Sequence, residues 1–115
     1  MAQFDIYRRL GGGVEFLLDL QDEMLESLTT RVVAPLVPLE AVETPIKTLN
    51  PLISIGGIQY VLLLHLLAAI PRTALGELEG SARTQRDEII GAIDFLFTGG
   101  YPWTKRDLWD SDVSE

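Results

Sequence analysis

Ile53-Ser54-Ile55-Gly56-Gly57-Ile58-Gln59-Tyr60 reads as a β-hairpin. Two glycines between β-forming residues suit a type I′ turn, whose two central positions both need positive φ. Outward from the turn, the second arm continues as Val61-Leu62-Leu63-Leu64-His65-Leu66-Leu67. Taken as a strand through Leu66, it places Leu62, Leu64 and Leu66 on one face and Val61, Leu63 and Leu67 on the other. Both faces are then apolar, and a one-domain sheet buries one of them in its own core. The other needs the helix or a second subunit, which is a first pointer to a dimer. A buried helix is the competing reading, but Tyr60, Val61 and the Gly-Gly turn favour a strand.

Upstream, Gln3 to Tyr7 alternates weakly, with Phe4 and Ile6 on one face, and reads as a first strand. Gly11-Gly12-Gly13 is a turn; no Lys-Ser/Thr follows it, so it is not a phosphate loop. Val14 to Gln21 alternates well and reads as a half-buried antiparallel strand. Arg31 to Val37 is a third strand. Pro35 inside it has no N–H to give, which predicts an edge or a bulge. Leu39 to Thr48, with prolines at 38, 45 and 51 in and around it, reads as an excursion from the sheet.

Downstream, Ser81 to Phe97 has a helical period, with Ile89, Ile93, Leu96 and Phe97 on one stripe. Ser81 is the expected N-cap, and Gly99-Gly100 the expected stop before Pro102. The fold class is therefore mainly β with one C-terminal α-helix. Residues 1–100 form one domain and 101–115 a C-terminal extension.

Composition limits what such a domain can do. The chain has 115 residues, no cysteine and a net charge of −8. That length fits one domain with its own core. Disulfides and thiolate metal sites are excluded. Nine basic residues against 17 acidic ones, scattered along the chain, argue against direct nucleic-acid binding. The start lacks a signal-peptide pattern, and Val61 to Ile70 is about half a membrane span, so a cytoplasmic protein with no membrane contact is expected.

Catalytic groups are sparse. His65 is the single histidine; among leucines it reads more simply as a neutral core or interface residue than as a general base. Glu15 and Asp19, with Asp22, Glu23 and Glu26 after them, read as a solvated acidic face rather than a metal site. Glu77 and Glu79 stand two apart in an apparent loop, weak grounds for a glycosidase pair. No cofactor is expected. Tyr101, Trp103 and Trp109 in the tail read equally as protein-binding anchors or as residues that fold back on the domain.

Several stretches, in order, resemble the CcdB family, toxins of plasmid and chromosomal addiction modules that poison DNA gyrase. They are Gln3-Phe4-Asp5-Ile6-Tyr7, Leu18-Asp19-Leu20-Gln21, Arg31-Val32-Val33-Ala34-Pro35-Leu36, Asn50 to Gly56, Ala68-Ala69-Ile70-Pro71, Leu75-Gly76-Glu77-Leu78 and Arg86 to Phe97. The resemblance covers about residues 1–100. It implies an SH3-like barrel of the CcdB/PemK/MazF toxin type with a side sheet and a closing helix. It also implies a homodimer that binds the gyrase A subunit and a CcdA-like antitoxin that can remove it. Gyrase-poisoning members end in Phe-Trp-Gly-Ile, whose tryptophan stacks on gyrase. The matching residues here are Phe97, Thr98, Gly99 and Gly100, so the ring is missing, and Trp103 is a candidate substitute anchor. A ribonuclease of the MazF/PemK type shares the fold, but carries a basic cleft and an Arg-Gly-Asp-like loop where this chain has Arg9-Leu10-Gly11. A non-toxic, antitoxin-binding homologue is the remaining alternative.

Overall fold

A computed structural model describes residues 2–99. In chain order its strands are β1 (Asp5–Arg9), β2 (Phe16–Asp19), β3 (Thr30–Pro38), β4 (Leu52–Ile55), β5 (Ile58–Leu62), β6 (Ala68–Pro71) and β7 (Leu75–Ser81); the helix α1 is Arg86–Thr98. All pairings are antiparallel. The sheet runs β4-β5-β3-β2-β1-β7, with β6 also paired to β3. It curls into a half-barrel over a core of Phe4, Ile6, Phe16, Leu18, Leu36 and Leu62, against which α1 sets Ile89 and Ala92.

The hairpin forms as its glycines dictate: Gly56 and Gly57 take φ of 59° and 82° between β4 and β5. The run beyond Tyr60 does not stay a strand. β5 stops at Leu62, and Leu64–Leu66 makes a 3₁₀ turn before β6 begins. Backbone bonds from Leu66 to Leu63 and from Leu67 to Leu64 hold that turn. Leu64 is buried while His65 and Leu66 face out. The two-faced strand, and the pointer to a second subunit that rested on it, are thereby corrected.

The reason for the jog lies in β3. One side of β3 pairs with β2; the other pairs with β6 over Thr30–Val33 and with β5 over Leu36–Pro38. Pro35 sits in the seam between those two neighbours. Its carbonyl accepts from the Leu63 N–H there (3.0 Å). In a strand the N and O of one residue face the same side, so proline's missing donor falls in the seam, where no ladder bond is lost. β3 is thus a central strand, not an edge.

Other expectations shift in detail. β2 is shorter than Val14–Gln21 and buried on both faces, not half-buried. Glu77 and Glu79 lie on the edge strand β7 rather than in a loop. Ser81 ends β7; its hydroxyl accepts from the Arg83 N–H (3.1 Å) at the start of a 3₁₀ turn, Arg83–Gln85, whose cap position is Ala82, so Ser81 is not the cap of the α-helix. The excursion after β3 is pinned by Asn50, which is buried. Its side chain accepts from Ile46 N–H at 2.9 Å and donates to Leu62 O at 3.1 Å. Phe4 takes φ 71°, rare for a residue with a side chain. Burial of its ring and bonds to Asp19 O and from Ala82 N–H hold it there.

Candidate functional site

The helix carries its last turn out of the core. Ile89 is fully buried, Ile93 and Leu96 partly so, and Phe97 is 69% exposed. Phe97 was expected on the buried stripe; the structure puts it outside. Gly99 closes the helix in the left-handed region (φ 72°), its N–H donating to Phe95 O at 2.8 Å. A glycine enters that region without the Cβ clash that penalises other residues. The Thr98 hydroxyl donates to Asp94 O at 2.6 Å, so it is held against its own helix. Phe97, Thr98 and Gly99 therefore form one projecting tip. Gly100 and Trp103 lie outside the described residues.

The tip ends on the negative pole of the helix dipole. Helix dipoles leave partial negative charge at the C-terminus, and no basic residue occupies the last turn of α1. An exposed aromatic ring in such a field suits a partner pocket that is apolar inside and basic at its rim.

The other candidate groups are occupied structurally or stand apart. His65 is exposed beside the loop that follows β3, not in the core or buried among leucines. Glu79 is engaged by Arg8, whose Nε donates to it at 3.0 Å, while Arg8 Nη1 donates to Glu15 at 3.0 Å. These hydrogen bonds, Glu15 first, raise the Arg8 pKa above its ordinary value. Arg8 also lies 5.0 Å above the Phe16 ring. Among the described residues no group of three or more His, Cys, Asp or Glu could hold a metal ion.

Asp19 was expected on a solvated face; it is fully buried. Arg31 Nη2 donates to its Oδ2 at 2.6 Å, with both side chains 0% exposed. Arg31 Nη2 also reaches Gln21 O at 3.2 Å, and Asp19 Oδ1 accepts from Gln21 N–H at 3.0 Å. Tyr7 lies on the same face of the sheet. Burial first, and then the charge of Asp5, pushes its phenol pKa above the ordinary 10.0. This cluster joins β1, β2 and β3 and is structural.

Residues 3–99 match the family model of the CcdB protein. The chain belongs to the CcdB family. No curated protein sequence matches it significantly. Among solved structures, an endoribonuclease in complex with its cognate antitoxin from mycobacterial species superposes with a TM-score of 0.68 at 17% identity. The alignment covers 90% of this chain and 98% of that one. At that identity the likeness is one of fold. The CcdB match stops at Gly99, the residue that caps α1.

Proposed function

We propose that this CcdB-family chain, a toxin of a toxin–antitoxin module, binds the A subunit of DNA gyrase through its helix tip and so blocks DNA replication. The observation that carries the proposal is Phe97: a large ring, 69% exposed, on the last turn of a helix anchored by buried Ile89 and Ala92. Thr98, Gly99 and Gly100 complete the contact. An exposed aromatic on a rigid helix end has little entropy left to lose on binding, which favours it as an anchor. The protein acts as a homodimer in the cytoplasm, is not itself an enzyme, and is neutralised by a CcdA-like antitoxin. An antitoxin partner gains support from the fold neighbour, an endoribonuclease solved with its cognate antitoxin.

Expression in a gyrase-dependent bacterium tests this. Growth arrest with trapped gyrase–DNA cleavage complexes is expected. Phe97→Ala should keep the fold and weaken gyrase A binding by more than about tenfold, the effect of losing an anchor worth about 2 kcal/mol. Normal growth at high expression would sink the toxin assignment. The second reading, an endoribonuclease, is favoured only by the printed activity of the fold neighbour. Incubation of pure protein with RNA separates the two, since sequence-specific cleavage would replace the gyrase proposal.

A further inference from the structure

The connection between β2 and β3 carries apolar side chains out into solvent and holds them there. Within residues 22–29, Met24 is 88% exposed, and Leu25 and Leu28 are each 48% exposed. The backbone beneath them is fixed. The Asp22 carboxylate accepts from the Met24 N–H at 2.8 Å and caps a 3₁₀ turn, Glu23–Leu25. Leu28 N–H donates to Leu25 O at 3.1 Å and extends the tie along the loop. From outside the loop, Gln21 Nε2 donates to Leu25 O at 3.1 Å and Arg72 Nη1 to Glu26 O at 2.7 Å. None of these bonds uses the Met24 side chain, and no residue of the turn is buried. The chain has two methionines, Met1 and Met24, and no cysteine. Met24 is thus the one sulfur among the described residues.

We propose that Met24 is a reversible oxidation site that changes the surface chemistry of this loop and leaves the fold intact. The oxidant is a peroxide. The thioether sulfur attacks hydrogen peroxide: an S–O bond forms as the O–O bond breaks, sulfur gives up two electrons, and the second oxygen leaves as water. Repair reverses the change. The dithiol of a methionine sulfoxide reductase supplies two electrons and two protons, the oxygen leaves as water, and the dithiol closes to a disulfide. This chain has no cysteine, so that reductant is external. Exposure sets which sulfur reacts, and Met24 stands open. A sulfoxide disrupts a core because it puts a polar group among apolar ones. At Met24 the sulfur packs against no core, and the loop keeps its shape through backbone bonds that oxidation leaves untouched. What changes is the crest of the loop. The most exposed of three clustered apolar side chains becomes polar, beside Asp22 and Glu23. Neither the helix tip nor its target enters this chemistry.

Treating the full-length protein with dilute hydrogen peroxide tests it, with a free methionine derivative in the same tube as the rate standard. The peptide that holds Met24 should gain one oxygen, about 16 Da, as fast as the standard. The urea midpoint of the oxidised protein should match that of the untreated protein, while its retention on a hydrophobic-interaction column falls. A methionine sulfoxide reductase with its dithiol should restore mass and retention on the folded protein. Met24→Leu should fold normally and keep its retention through the same treatment. Oxidation of Met24 several-fold slower than the standard would overturn the proposal, since the sulfur is then shielded. So would a lowered urea midpoint, repair that needs prior unfolding, or a retention change that persists in Met24→Leu, which places the switch elsewhere.

Discussion

Replacing Asp19 by alanine tests what the buried pair contributes. Asp19 and Arg31 are each 0% exposed, and the short Nη2–Oδ2 contact is 2.6 Å. Arg31 Nε and Nη1 already have no hydrogen-bond partner among the described residues. Removing the carboxylate strands a guanidinium in the interior with the Gln21 carbonyl as its remaining acceptor. Breaking a buried pair from one side costs about 3–5 kcal/mol, because the survivor's charge is uncompensated. A domain of this kind has about 5–15 kcal/mol in total. With a urea slope of about 2 kcal/mol per molar, the midpoint of equilibrium unfolding should fall by roughly 2 M. The double replacement Asp19→Leu with Arg31→Met should be far milder, near neutral or stabilising, since it removes both desolvated charges together. A loss below about 1 kcal/mol for Asp19→Ala, the scale of a solvent-exposed pair, would refute the reasoning.

Tyr7 adds a pH dependence. Its pKa is raised in the folded state, by burial first, so the folded chain holds the phenol proton to higher pH than the unfolded chain. Its contribution is intact below about pH 10 and is lost as pH climbs from there through the folded value; Tyr7→Phe should flatten part of that decline in urea titrations. Ile89→Ala, at a fully buried site, should cost about 2–5 kcal/mol by the same assay. Gly99→Ala should cost about 1 kcal/mol in thermal unfolding, because φ 72° is unfavourable for any side chain, whereas Gly99→Asn should cost less.

The elements with strong local signals were legible from the residues. Gly56-Gly57 marked the hairpin, and the apolar period before Gly99 marked the helix and its stop. The apolar run after Tyr60 was not, since leucines alone do not say where a strand ends. The jog at Leu64–Leu66 follows from β3 changing neighbours, a fact of tertiary pairing. β7 was missed because an edge strand with Gly76 and Gly80 needs no alternation to hold its place. The Asp19–Arg31 pair was invisible for a related reason. Asp19 lies opposite Val33 in the sheet, and Arg31 is its diagonal neighbour two residues along β3, a relation that only register reveals. That the helix ends at Gly99 was legible. The outward turn of Phe97 was not, since a helical stripe drifts and its last member can pass beyond the core.

The seam at Pro35 divides the sheet. β5, with β4 beyond it, and β6 both hang on one side of β3, and neither is paired to the other. Separately attached strands need not open together, since local unfolding follows hydrogen-bonded connectivity. The short β6, largely exposed, can fray from Val33 to Thr30 while β5 still clasps Leu36 and the core beneath α1 stays shut. A single proline at a junction thus acts as a firebreak, confining loosening on one flank of the sheet before it reaches the elements that hold the helix.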